Sequence, residues 1–418
     1  MPGLGVSLRP PQPLSRRELG ILAVFSVVAF TTGWSGSAIT HALPFIQDDL
    51  ALSDTRVFDL LATIRAAALA ALALSWWGDR SGRRRPMLVG FFLLTTGNLI
   101  TALVPFTAGV TVSQSIARVG TIGLGALAVV VLAEEVEPAV RGYAIGVFVF
   151  FASVGTGFGL LLRQLADSSH DSWRLLFALS AIPLLAFPLL IRRVGESRAF
   201  IRPEGRPPLA TVFRRGHAAR FWPLAMLAFA VAAFTGPAAN LALLRLQHDL
   251  GWSTAAASLM LALTSAPGVT LGVLGGGRMA DVVGRRWTQL MAIIVGVGGG
   301  ILFYQSTNGW LMGTGITLST LGAFGFSPAF AAHRSELFPT DVRATAAAWI
   351  ANVGIVGGLM GFAAGRFIVD AWGIPATITA LGLALLAVSP VVFTLPETKG
   401  LILVRGAVPM EPPSSIPG

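Results

Sequence analysis

Three ionisable residues fall inside apolar stretches. Asp59 and Arg65 lie within a run at 55–77, and Arg118 lies within another at 110–133. A charge at the centre of a bilayer-spanning helix costs roughly 2.5 to 3.5 kcal/mol even on insertion-based scales, so such residues face a cavity or a partner. A buried arginine can bind an anionic group, and a buried carboxylate can carry a proton. Arg65, near the middle of its run, fits either a substrate contact or a structural ion pair. Asp59 follows Arg56 by three residues, and i,i+3 pairing gives it a structural role. Its alternative role is a proton carrier whose affinity responds to burial and to Arg65 or Arg118.

A second set of charges sits between apolar runs. The stretch Trp76–Met87 reads WWGDRSGRRRPM in a chain that is only 12% charged. GRMADVVGRRW at Gly277–Trp287 nearly repeats it, with Asp79 and Asp281 separated by 202 positions. Glu134 and Arg141 recur as Glu336 and Arg343 at the same offset. A tight crossing between antiparallel helices needs glycine where the backbone bends, which suits Gly82 and Gly284. An aspartate beside the bend can accept charge-assisted hydrogen bonds from arginine or face the positive end of a neighbouring helix. The plainer reading, strongest for Arg84, Arg85 and Arg286, is that these arginines only set topology.

The elements that position these residues follow from composition. A 54% hydrophobic share exceeds the roughly 45 to 50% of soluble domains, and mean hydropathy is +0.73, so the chain is read as a membrane protein. Runs of bilayer-crossing length fall at 19–41, 55–77, 87–105, 110–133, 142–164 and 173–191. Six more follow at 221–245, 254–277, 288–304, 309–333, 344–368 and 374–394. Arg16 and Arg17 before Leu19–Phe30 read as a signal anchor retained as the first helix. The net charge of +10 lies in short turns, which points to membrane topology and away from nucleic acid. Basic residues place both termini in the cytoplasm of a cell inner (plasma) membrane, with Arg56, Arg163, Arg174, Arg245 and Arg366 on the outer side.

Several chemistries are excluded. With no cysteine there is no disulfide or thiolate site, and five scattered histidines do not make a metal centre. GVGGG at Gly296–Gly300 lacks the Gly-Lys-Ser/Thr ending of a phosphate loop, and Lys399 is the sole lysine, so a Walker-type ATPase is ruled out. It reads, with Gly155, Gly157 and Gly159, as close helix packing. No clustered nucleophile and base or cofactor motif is present; neither catalysis nor a cofactor is expected.

Two six-span halves in the same orientation form a parallel repeat. Over essentially its whole length the chain resembles the major facilitator superfamily, whose signature turn G-x-x-x-D-[RK]-x-G-[RK]-[RK] is matched at Asp79, Arg80, Gly82, Arg83 and Arg84. Ser75 replaces the leading glycine. The second copy matches at Gly277, Asp281, Gly284, Arg285 and Arg286. SELFPTDVRATAAAW at Ser335–Trp349, LPETKG at Leu395–Gly400 and, more weakly, GESRAF at Gly195–Phe200 resemble signatures of the sugar porters and metabolite:proton symporters.

The resemblance implies an all-α integral membrane fold of twelve transmembrane helices in two pseudo-symmetric six-helix bundles. Its parts would be an N-terminal bundle at 1–191, a cytoplasmic linker at 192–220, and a C-terminal bundle with a short tail at 221–418. It implies that Asp79, Arg80, Gly82, Arg83, Glu134, Arg141, Asp281, Gly284, Arg285, Glu336 and Arg343 form a conformational latch. Arg118 matches the arginine of a fourth-span motif, R-x-x-x-G-x-G, with Gly123 and Gly125 one residue late, which implies a place in the central cavity. Trp34, Ser35, Asn240, Phe324 and Asn352 are further cavity candidates, with helical packing as the alternative. The chain departs from the sugar-porter pattern at Ser35, where an aspartate is usual, and at Ala232 and Ala233, where paired glutamines are usual.

The expectation is therefore a secondary transporter of a small organic solute, coupled to protons by symport. Two buried arginines favour an organic anion or carboxylate. The alternatives are an exporter of amphipathic compounds, favoured by the apolar seventh span, and a non-transporting membrane sensor. The expected partners are solute, protons and lipid, and the expected working form is a monomer.

Overall fold

A lipid environment offers the backbone no hydrogen bonds, so an apolar span must satisfy every peptide group internally, as a helix does. The computed structural model describes residues 13–137, 140–169, 171–196, 213 and 215–399. Among these, eleven helical stretches are long and apolar enough to cross a membrane. In chain order they are α1 (Arg16–Asp49), α2 (Asp54–Gly78), α3 (Arg84–Leu103), α4 (Thr107–Glu135), α5 (Tyr143–Asp167) and α6 (Trp173–Arg193). There follow α7 (His217–Asp249), α8 (Thr254–Val282), α9 (Arg285–Gln305) and α10 (Gly309–Glu336). The last stretch, Thr345–Thr394, is 50 residues long, more than twice what a bilayer needs. It breaks at Gly373, whose φ of 74° is non-helical, giving α11 (345–372) and α12 (374–394). The expected twelve spans are thus present among the described residues.

Local chemistry sets the helix starts. Ser15 caps α1 in a capping box: its Oγ accepts from the Glu18 amide while the Glu18 carboxylate accepts from the Ser15 amide at 2.9 Å. Asn308 caps α10 by accepting from the Trp310 and Leu311 amides.

The described residues pack into two compact units. The first holds α1, α2 from Thr63 onward, α3 to α6, and Ser253–Ser258. Its core includes Phe25, Met87, Phe91, Leu124, Val131 and Leu132. The second holds Asp54–Ala62 with α7 and the remaining spans, and part of its core gathers Phe221, Leu224, Phe338, Val342 and Ile350.

Close packing through small residues appears in both. A Cβ on Gly155 would collide with the Phe30 carbonyl oxygen, and one on Gly361 with that of Ala233. Gly157 departs from the expected packing role, since a Cβ there would meet nothing within 4 Å.

Arg163, expected among the outer topology charges, is not a solvated surface residue. It is fully buried, with Nε donating to the His41 carbonyl at 2.7 Å and Nη1 to Ser258 Oγ at 2.9 Å. The 3-10 turn at Leu162–Asp167 carries it into the first unit, where backbone and hydroxyl oxygens replace water.

Gly82 and Gly284 have φ of 105° and 115°, and a Cβ on either would strike a glutamate carboxylate. Gly82→Ala and Gly284→Ala should each cost about 1 to 2 kcal/mol from backbone strain alone, lowering the unfolding midpoint of the purified protein. Gly298→Ala, helical and with open space around its Cβ, should cause no loss.

Candidate functional site

The two charged turns are built alike. In the first unit, Arg83 reaches from the start of α3 to the end of α4, and its Nη2 meets Glu134 Oε1 at 3.0 Å. In the second, Arg285 Nε and Nη2 meet the two oxygens of Glu336 at 3.1 and 2.9 Å. This fork-on-fork geometry fixes orientation as well as distance. Arg285 also donates to Asp281 at 2.8 Å, one helical turn away. Burial leaves Arg285 and Glu336 only 10% and 13% exposed, while Asp281 is 72% exposed, so the Glu336 pair is the less screened of the two.

Other members of the expected latch are placed differently. Arg80 stacks over the Trp76 ring at 4.1 Å on the exposed end of α2. Arg343 Nε donates to the Phe338 carbonyl at 3.2 Å, five residues back. The side chains of Asp79 and Arg141 lie outside the described residues, as does most of the 192–220 linker.

Each turn has a further carboxylate. Glu196 accepts from the backbone amides of Arg83 at 2.5 Å and Arg84 at 3.3 Å. Glu397 accepts from those of Arg285 at 2.8 Å and Arg286 at 3.1 Å. Each carboxylate therefore caps the positive N-terminus of the helix that follows the charged turn. Positive φ at Gly82 and Gly284, with no Cβ, brings the backbone against these acids. The signal was in the sequence: Glu196 and Glu397 lie 201 positions apart, nearly the repeat offset, within the two segments whose motifs follow the sixth and twelfth spans.

Among the buried charges, Arg118 on α4 has its Nε shielded from solvent with no hydrogen-bond partner among the described residues. Arg65 on α2 is half-buried and belongs to the same compact unit as Arg118. Asp59 finds its cation far along the chain: Arg366 Nη1 on α11 lies 2.8 Å from its carboxylate. Beside it Thr55 donates to Asp370, and Phe58 meets Phe362 edge-on at 5.8 Å. The first turns of α2 thus dock on α11 within the second unit.

The remaining candidates divide. Ser35 is buried, donates to the Ser180 carbonyl at 2.6 Å, and lends its own carbonyl to Asn98 Nδ2 at 3.0 Å. Gln114 extends this network to Asn98 and Thr101, so the hydroxyl of Ser35 is committed to helix packing. Trp34 lies edge-on to Phe158 at 5.0 Å and to Phe30 at 5.8 Å. Asn240 donates back to the Gly236 carbonyl at 2.8 Å. Phe324 is exposed, and Asn352 is half-buried. Among the described residues no group of histidines and acids is placed to hold a metal ion.

Comparison with known proteins agrees with this architecture. The family model of the Major Facilitator Superfamily matches residues 25–245 and 224–409. Myo-inositol transporter 3A of Cryptococcus neoformans is 31% identical over 200 residues, 47% of this chain and 34% of that protein. A probable 4-methylmuconolactone transporter of Cupriavidus pinatubonensis is 26% identical over 362 residues, 80% of this chain and 81% of that one. The arabinose-proton symporter of Bacillus subtilis is 24% identical over 213 residues, 48% of this chain and 46% of that protein. The chain spans about a third of the length of the first of these relatives, 34%. The inward open conformation of the xylose transporter XylE from E. coli superposes with a TM-score of 0.71, covering 92% of this chain and 97% of that one. At 16% identity that likeness is one of fold.

Burial works against ionisation of Glu397, yet amides of Arg285, Arg286, Thr398 and Lys399 outweigh it and hold the carboxyl below its ordinary range. A depressed carboxyl stabilises the fold fully above its unfolded pKa, and the gain is lost as pH falls through the folded value. Hydrogen-exchange protection of the Arg285 and Arg286 amides should therefore hold at neutral pH and fall in acid. Glu397→Gln should show reduced protection already at pH 7; unchanged protection in that variant would contradict the cap.

Proposed function

The chain belongs to the major facilitator superfamily, and on that premise we propose that it moves a small organic solute bearing a carboxylate by proton-coupled symport. In this reading, bundles at 1–191 and 221–418, joined by a cytoplasmic linker at 192–220, expose a midplane site to each side in turn. The protein sits in the plasma membrane with both termini in the cytoplasm.

The observation that carries the substrate class is Arg118. Its Nε is buried without a partner among the described residues, and a second cation, Arg65, belongs to the same compact unit. An unpaired guanidinium inside a membrane is costly, and a carboxylate that binds its fork offsets that cost in the geometry arginine suits best. The relative matched along four-fifths of both chains is named for a lactone, not for a sugar, in keeping with this reading. Symport is supported by the match to an arabinose-proton symporter. Asp59 is the coupling residue in this account: its ion pair with Arg366 breaks when the carboxylate takes up a proton and re-forms on release.

The Arg83–Glu134 and Arg285–Glu336–Asp281 clusters serve as the latch on the cytoplasmic face. Each pair ties two helix ends within its own bundle, and loosening those ends opens the cytoplasmic face in this account.

A second reading, uptake of an uncharged polyol, is favoured by the match to a myo-inositol transporter. Against it, Ala232 and Ala233 offer no hydrogen bonds from their side chains, and the Ser35 hydroxyl is already bound to Ser180.

Two outcomes follow. In counterflow of labelled carboxylates and polyols, Arg118→Ala should weaken apparent affinity for the carboxylate roughly 10- to 100-fold, the worth of a hydrogen bond to a charged group. Normal carboxylate counterflow in that variant, or transport of polyols alone, would overturn the substrate class. For the latch, the absence of cysteine permits single-cysteine labelling on the natural background. Glu134→Gln combined with Glu336→Gln should raise labelling of cavity positions from the cytoplasmic side; unchanged labelling would remove the latch assignment.

A further inference from the structure

The cytoplasmic ends of α3 and α6 enclose an open groove of about 620 Å³, lined by Ser81, Arg84, Arg85, Arg192, Gly195 and Glu196 among others. Two of its charged groups are committed. Arg84 donates to the carbonyls of Val194 at 2.8 Å and Ile191 at 2.6 Å, and Glu196 accepts from the amides at the start of α3. Arg85 and Arg192 are exposed and form no hydrogen bond or ion pair among the described residues.

The second half of the chain supplies an internal control. At the repeat offsets, Arg84 and Arg85 correspond to Arg286 and Trp287, and Arg192 and Glu196 correspond to Phe393 and Glu397. There an aromatic pair stands instead: Trp287 and Phe393 meet edge-on at 4.9 Å, and Arg286 lies over the Phe393 ring at 5.0 Å. Glu397 caps its helix just as Glu196 does. The first half thus keeps the frame but puts two like charges, with space between the elements that carry them, where the second half has a packed aromatic pair. Like charges lining one groove repel, and an anion between them reverses that sign.

We propose that this groove binds the phosphate of an anionic membrane lipid. A phosphodiester fits guanidinium forks, and basic pockets between spans on the cytoplasmic side suit anionic headgroups. The choice of a lipid over a free anion rests on what precedes Arg192 on α6. Leu185 is 82% exposed and Leu189 57%, so the same helix offers an apolar track for acyl chains directly before the cations. The site lies apart from the solute-binding arginines and stands whether or not the carboxylate reading holds.

The test uses the full purified chain in detergent, with phosphatidylglycerol, phosphatidylcholine or inorganic phosphate added. Binding is read by native mass spectrometry and by the unfolding midpoint. Phosphatidylglycerol should remain bound and raise the midpoint, while phosphatidylcholine and inorganic phosphate should do neither. The double variant Arg85→Trp/Arg192→Phe installs the pair found in the second half and should bind phosphatidylglycerol about 30-fold more weakly, at about 1 kcal/mol per arginine. Should it fail to fold, Arg85→Gln/Arg192→Gln replaces it with the same expectation. Unchanged phosphatidylglycerol binding in the variant would overturn the site, and an equal shift with inorganic phosphate would overturn the lipid in favour of a free phosphate.

Discussion

Everything in this molecule answers to one constraint: the hydrocarbon core of a bilayer solvates neither a peptide group nor a charge. The first half of that constraint makes the chain helical. The second half sorts its charges. Arg163 enters the interior because a backbone carbonyl and a serine hydroxyl take the place of water. Asp59 is held by a guanidinium 2.8 Å away. Arg118 has its Nε met by neither kind of partner among the described residues, and the proposed solute site rests on that contrast.

At the helix ends water returns, and charge becomes a joint between spans. The two charged turns solve one problem twice: a glycine with positive φ bends the chain, an arginine spans to a glutamate at the foot of a neighbouring helix, and a second glutamate caps the new helix. A joint of this kind is strong only while its members stay partly buried, since exposed pairs are worth little. Asp281, mostly exposed, adds direction more than strength. The asymmetry between halves is as telling as the repeat. Where one half has Trp287 against Phe393, the other leaves Arg85 and Arg192 facing an open groove.

Much of this was legible from residues alone. The apolar runs located the spans because the bilayer sets a length, and the 202-residue spacing exposed the repeat because both halves carry the same charged turn. The break at Gly373 was legible as a gap between runs at 368 and 374, although the backbone stays helical on either side. What escaped was partnership across long separations. Nothing local to Asp59 points to Arg366. Ser35 looked available because its hydroxyl bonds to a carbonyl 145 residues away, and carbonyls leave no mark in a sequence. The burial of Arg163 also escaped, since a charge count is blind to a 3-10 turn that folds the side chain into the protein. Glu196 and Glu397 lay inside recognised motifs, but the capping role depends on a glycine more than a hundred residues earlier.

The central claim, that this protein couples a carboxylate to a proton, is tested most directly by the internal pH of proteoliposomes. Carboxylates, sugars, polyols and drug-like cations are added outside in turn. The account predicts acidification with a carboxylate alone, abolished by Asp59→Asn. Acidification driven by sugars or polyols, or carboxylate entry with no change of internal pH, would contradict it.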